Sequence, residues 1–230
     1  LDRSTAQAQL AARNIRLTAN NLPAAQQPTV GALTLTGIAI TPARITLGNI
    51  GISDARVALV RRADSWVLPL ATAAAPASAA GSAGRTAPSP RVHVGKLAVR
   101  DLLVTFIDAD RNVSLPLAAT LSTANFDYPR GRPGPLTLAV QVADAGGVNS
   151  TGRVGMLEVE PKVDAAVQTQ AALNLPAFNT RLGAYLPLAI TSGTLAVTVT
   201  TAFNASGLSG RVGLVIDNLA VKVREAEAGA

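Results

Sequence analysis

The chain has 230 residues, of which 48% are hydrophobic but only 3% aromatic, and it carries a net charge of +6 with no cysteine. The missing cysteine excludes disulfides, thiolate metal sites and cysteine nucleophiles. The basic residues are scattered, with Arg61-Arg62 as the only doublet, which disfavours nucleic-acid binding because such surfaces cluster basic residues and interleave aromatic ones. Scattered charge is typical of a solubilising surface, and weak attraction to anionic lipid or lipopolysaccharide headgroups is the alternative.

A tract at 71–90, composed almost wholly of Ala, Pro, Ser and Gly, interrupts the chain. It is too poor in large apolar residues to offset the entropy cost of ordering, so we predict a linker or a looped-out insertion. The chain then divides into an N-terminal β segment (1–70), this tract and a longer β segment (91–230). Residues 1–9 do not resemble a signal peptide, so we expect any anchor or export signal to lie outside this chain.

Apolar and polar residues alternate with a period of two on both sides of the tract, as in strands with one apolar face. Turn residues such as Asp217-Asn218 recur at intervals of about ten to fifteen residues. This spacing predicts an antiparallel meander of short strands. One short helix is predicted near 176–186, with Asn174 as its cap and with Phe178, Leu182 and Tyr185 forming an apolar stripe.

An internal repeat aligns residues 45–60 with 92–107 at an offset of 47, and a looser copy lies at 30–40. The alignment matches Gly48 with Gly95 and Asp54 with Asp101. We interpret each copy as a strand, a bend at the Gly, a second strand, a turn at the Asp and a third strand. Repeated corners curl a sheet, whereas a chance match between similar strands is the alternative reading.

The fold prediction is all-β: an elongated, curved antiparallel meander that forms a hydrophobic groove, a β-taco-like shape. One short helix cannot cover so many apolar faces, so these faces close on each other or line a trough. The candidate groove residues are the apolar positions of the alternating segments. They are Val57, Leu59, Val104, Phe106, Leu136, Leu138, Val140, Val142, Leu195, Val197, Val199, Leu214 and Ile216.

The sequence offers no catalytic, cofactor or metal site. His93, the single histidine, lies between two residues of the apolar set and is predicted to point to the opposite, solvent side. Residues 108–112 begin like a calcium loop but lack the Gly and Glu that such a loop requires later, so we predict a hairpin turn. We therefore expect a protein that is not an enzyme.

Residues 94–129, 175–203 and 213–219 (GLVIDNL) resemble the AsmA-like superfamily, which includes TamB- and YhdP-related periplasmic β-groove proteins and a branch of uncharacterised domains. The likeness covers 91–223 and, more loosely, 10–70. It implies a Gram-negative periplasmic protein tethered to the inner membrane, with phospholipid or another acyl-chain lipid as partner. Lipid transport for outer-membrane and envelope biogenesis is the implied role. A non-lipid scaffold that binds other envelope proteins or further copies of the repeat is the alternative.

Overall fold

The computed structural model describes residues 8–18, 22–41, 43–63, 65–67, 91–128, 131–157, 162–204 and 207–224, so the predicted tract at 71–90 lies outside the described residues. One curved sheet of 11 strands makes up most of the described chain and confirms the all-β prediction. The strands are β1 (Ala8–Arg16), β2 (Thr29–Thr41), β3 (Arg44–Arg62), β4 (Ser65–Val67), β5 (Arg91–Asp108), β6 (Val113–Tyr128), β7 (Gly134–Val142), β8 (Gly146–Leu157), β9 (Lys162–Asn174), β10 (Leu188–Asn204) and β11 (Gly207–Val223).

The sheet follows the order β1-β2-β3-β5-β6-β7-β8-β9-β10-β11, and β4 pairs with the end of β3. Neighbouring strands are antiparallel, as predicted, except that β3 and β5 run parallel. Arg91 at the start of β5 pairs with Arg44 at the start of β3, so both strands begin at the same end of the sheet. Strands from both sides of the 71–90 tract therefore belong to one sheet.

The parallel pair β3–β5 is built from the internal repeat. Every Cα pair from Arg44–Arg91 to Arg61–Asp108 keeps the offset of 47, so matching residues of the two copies lie side by side. The strands approach closely where both copies have glycine, since a Cβ on Gly95 would lie 2.5 Å from the carbonyl oxygen of Gly48. The repeat thus specifies a register as well as a strand pattern.

The repeated aspartates do not turn the chain, which corrects the prediction. Asp54 and Asp101 lie inside continuous strands, each with a φ of 54°. Asn218 adopts a φ of 52° within β11, so the predicted turn at Asp217-Asn218 is also wrong. Asp and Asn tolerate this left-handed conformation and bend a strand without ending it. The strands consequently reach 19 residues in length. They are longer than the strands that the spacing of turn residues predicts.

The predicted helix is shorter than its sequence pattern indicates. A 3₁₀ turn covers Leu175–Phe178, and the α-helix α1 covers only Asn179–Leu182. Asn174 precedes the 3₁₀ turn without forming a side-chain cap. The side chain of Asn179 donates a hydrogen bond to the carbonyl of Ile190 (2.6 Å) and accepts one from its N–H (2.7 Å). These bonds fix the segment to the start of β10.

The sheet is not covered by a second layer of comparable size among the described residues. In the ranges that the structure describes, only small or isolated apolar side chains are buried, and Val60 is the one that is fully enclosed. Val60 packs with Leu22 and Ala58, and Val67 and Ile107 lie against this cluster. In the described part of the chain, no helix has the length and hydrophobicity that crossing a membrane requires.

Candidate functional site

The predicted groove residues lie together on one face of the sheet. Residues that are Cα partners in a sheet project to the same side. Val57 pairs with Val104, Val104 with Leu117, and Leu117 with Val142. The row continues across the later strands through Gly146, Leu173, Leu195 and Ile216.

The remaining candidates occupy parallel rows on the same side. Leu59 is the Cα partner of Phe106, and Val197 is the partner of Leu214. We call this side the apolar face and define it by the predicted candidates and their Cα partners. Leu136, Leu138, Val140 and Val199 complete the set through the registers of β6 to β11.

The apolar face is accessible from solvent along most of its width. Nearly all the candidates are half-buried; Val142 is buried, and Leu214 and Ile216 are exposed on the edge strand β11. Along β10 the half-buried Val197 alternates with exposed threonines such as Thr198, which lie on the opposite face. Along β10 the side chains of the apolar face are thus less exposed than those of the opposite face, without being enclosed.

A cavity of about 340 Å³ lies at the end of the apolar face where β5 meets β6. Phe106 and Leu115 of the sheet form its floor, and Trp66 of β4 stands edge-on to Phe106 with ring centroids 5.9 Å apart. The opposite wall comes from the segment that precedes β10. Phe178, Leu182 and Tyr185 all line this cavity, although only Leu182 of the predicted helical stripe lies in α1.

Asp108 lies at the centre of a polar cluster in the cavity wall. Its Oδ1 accepts hydrogen bonds from the backbone N–H groups of Asp110 (3.2 Å) and Arg111 (3.1 Å). Its Oδ2 accepts one from the Tyr185 hydroxyl (2.7 Å) and one from the Arg111 guanidinium (3.3 Å). The guanidinium of Arg61 is 3.8 Å from the same oxygen. The bonds from the two backbone N–H groups stabilise a turn at residues 109–112, which confirms the predicted hairpin turn.

The hydrogen bond between Asp108 and Tyr185 shifts the pKa values of the two groups in opposite directions. The Tyr185 hydroxyl, aided by Arg111, holds the pKa of Asp108 below its ordinary value, although desolvation acts the other way. The same hydrogen bond to the carboxylate raises the pKa of Tyr185. Arg111 also lies over the Tyr185 ring, 4.8 Å from its centroid. A carboxylate and a neutral phenol are therefore the forms present near neutral pH.

Arg181 supplies a further cation to the cavity. Its Nε donates to the carbonyl of Ser114 (2.9 Å) and its Nη1 to that of Ala177 (3.3 Å). Its nearest carboxylate is Asp144, at 3.8 Å, whose side chain is 76% exposed. An ion pair so open to water is weak, so Asp144 offsets little of the charge that Arg181 brings.

His93, which the sequence predicts to point to the solvent side, does not project freely into solvent. Its Nδ1 is 2.8 Å from Oδ1 of Asp127 on the neighbouring strand, and its side chain is 23% exposed. Arg44 approaches the same carboxylate oxygen at 3.6 Å. Among the residues that the structure describes, no group of acidic, histidine or cysteine side chains is arranged to hold a metal ion.

The cavity cluster is not evident from the sequence, because its members are far apart in the chain. Tyr185 and Asp108, for example, are separated by 77 positions. One local signal was available: an Asp at the end of a strand, followed by Ala-Asp-Arg-Asn, indicates a turn closed by that carboxylate. The arginine doublet was a second signal, since neighbouring residues of a strand face opposite sides and one of the two must face the apolar side.

Comparison with known proteins adds no functional information for this chain. No protein-family model matches the chain, and no curated protein matches it. The apolar face and the cavity at its end are therefore the features from which a function can be proposed.

Proposed function

We propose that this chain holds the acyl chains of a lipid on its apolar face. In keeping with its resemblance to the AsmA-like superfamily, it would do so as a non-enzymatic periplasmic protein whose inner-membrane anchor lies outside this chain. Its role would be to hold or conduct phospholipid during outer-membrane and envelope biogenesis.

The observation that carries this proposal is the width of the accessible apolar face, which Ser150 and Thr169 interrupt where β8 and β9 pass between Leu138 and Val199. Predicted groove residues from β3 to β11 share one side of the sheet, and most of them remain partly exposed. Large contiguous apolar surfaces are rare on soluble proteins unless something binds them. Burying an acyl chain releases about 0.8 kcal/mol per methylene, so a dozen methylenes gain roughly 10 kcal/mol before the costs of association. Such binding requires no polar recognition motif along the face.

A protein-interaction scaffold is the second candidate, and the edge strand β11 favours it. All 17 residues of β11 are exposed, and β10 is its only partner in the described sheet. An exposed edge presents unpaired backbone groups that can bind another strand. A strand from an envelope protein, or from a further copy of the repeat, would satisfy these groups.

The decisive experiment compares two faces of the same strand. Leu138→Asp with Val140→Asp places two charges on the apolar face of β7. The control, Thr137→Asp with Gln141→Asp, places the same charges on the opposite face, where both residues are exposed. Each protein is purified from a Gram-negative host, checked by circular dichroism and extracted for lipid analysis alongside native mass spectrometry.

We expect phospholipid to accompany the unmodified protein and the control, and to be lost from the apolar-face variant. Charges on the apolar face remove the favourable burial of methylenes, whereas charges on the polar face leave it intact. A protein that carries no lipid, or loses it equally in both variants, would contradict the lipid proposal. Lipid-free protein that instead assembles through β11 would favour the scaffold.

A further inference from the structure

We infer that the cavity at the end of the apolar face binds the anionic phosphate headgroup of a phospholipid. The acyl chains of the same molecule would extend along the apolar face. This inference rests on the proposed lipid-binding function and refines it, because it names the part of the lipid that is recognised and the residues that recognise it.

The charge of the cavity favours an anion. Two guanidinium groups, from Arg61 and Arg181, and one carboxylate, from Asp108, line it, which leaves a net positive charge. Asp108 is also bound by Arg111, so its single negative charge is shared between two arginines. The nearby Asp144 is largely solvated and compensates Arg181 weakly. A phosphate would supply the missing negative charge inside the cavity.

The hydrogen-bond donors of the cavity are placed to bind a phosphate group. Both oxygens of Asp108 are already occupied, so this carboxylate holds Arg61, Arg111 and Tyr185 in place rather than competing for new donors. Arg181 is fixed by two hydrogen bonds to backbone carbonyls, which use two of its five N–H groups and leave others available. Guanidinium groups held in this way bind phosphate oxygens in paired, charge-assisted hydrogen bonds.

The apolar walls of the cavity suit the part of a phospholipid where the headgroup joins the acyl chains. Trp66, Phe106 and Leu115 form these walls directly beside the charged groups of the cavity. A volume of about 340 Å³ is near the lower limit for ligand pockets. The cavity therefore accommodates a headgroup and the first methylenes, while the open apolar face accepts the remainder of the chains.

The arginine doublet provides a matched pair of test variants. Arg61 lines the cavity, whereas Arg62 follows it in β3 and projects to the opposite side of the sheet. Arg61→Gln and Arg62→Gln thus remove the same charge from adjacent positions. Trp66, the only tryptophan of the chain, lines the cavity with 54% of its surface exposed, so its fluorescence reports occupancy directly.

The experiment titrates the purified chain with dihexanoyl phosphatidylglycerol and follows Trp66 emission. Dihexanoylglycerol, which has the same chains without the phosphate, and inorganic phosphate alone are titrated in parallel. We expect a saturable blue shift with the phospholipid, at least tenfold weaker binding of the uncharged analogue and no shift with phosphate alone. Arg61→Gln should weaken phospholipid binding at least tenfold, and Arg62→Gln should leave it unchanged.

Equal affinity for charged and uncharged lipid in the unmodified protein would overturn the inference without reference to any variant, even if Arg61→Gln fails to fold. Equal weakening by the two arginine variants, or saturation by inorganic phosphate alone, would overturn it as well. The result is separable from the test of the apolar face. Loss of lipid from the β7 variant with no headgroup preference at Trp66 would retain lipid binding and refute only the headgroup site.

Discussion

Gly95→Ala tests whether the internal repeat sets the distance between the parallel strands. The added Cβ would lie 2.5 Å from the Gly48 carbonyl oxygen, whereas ordinary contact begins at 3.4 Å, so β3 and β5 must separate locally by about 0.9 Å. A backbone hydrogen bond lengthened by that much is lost, and each lost bond costs about 0.5–1.5 kcal/mol. With two bonds affected, we expect a loss of about 1–3 kcal/mol in the free energy of unfolding.

Gly147→Ala is the matched control, because its Cβ would lie 3.5 Å from the nearest atom, the Val140 carbonyl oxygen. Alanine fits there, and its lower entropy in the unfolded chain should stabilise the protein by about 0.4–1 kcal/mol. Urea unfolding followed by circular dichroism measures both changes. With an m value of about 2 kcal/mol/M, Gly95→Ala should lower the midpoint by about 0.5–1.5 M. Equal midpoints for the two variants would refute the close approach of β3 and β5.

Three further predictions concern strain, packing and titration. Asp101→Val should lower stability by about 1–3 kcal/mol, since a β-branched residue is strained at a φ of 54°, and Asp101→Gly should not; melting curves that shift equally for both would contradict this. Val60→Ala should cost about 1.5–3 kcal/mol in urea unfolding because Val60 is 0% exposed, and an unchanged midpoint would count against the cluster around it. Asp108, whose pKa is lowered from 3.8, stabilises the fold above that value and loses this contribution as the pH falls through its lowered pKa. Tyr185→Phe should therefore reduce stability at neutral pH and matter progressively less on acidification, and a pH-independent difference would argue against the hydrogen bond as its cause.

The apolar face was predictable because side chains in a strand must alternate between its two sides. Leu138 and Val140 could therefore be assigned to one face without knowing their neighbours. The prediction of a turn at Asp54 was wrong, because the sequence does not distinguish a left-handed residue inside a strand from a residue in a turn. The helix prediction also failed at α1, whose end is fixed by the side-chain bonds of Asn179 to Ile190, a contact between separate elements.

The charged cavity could not be predicted for a different reason. Arg61, Asp108 and Arg181 lie far apart in the sequence, where each resembles the charges that any solvated surface would carry. They meet only because the parallel pairing of β3 and β5 places Arg61 beside Asp108 and because the segment before β10 crosses the end of these strands. Both events depend on contacts between distant residues, which periodicity and turn composition do not encode.

The strand order of the sheet has a consequence for how the chain acquires its structure during synthesis. From β5 to β11 each strand lies beside the one that precedes it in the chain, so every new strand finds its partner already formed. Closing such short connections costs little entropy, and only the β3–β5 pairing must bridge 47 residues. We therefore expect the sheet to widen in the direction of translation, with β11 as the last edge to form.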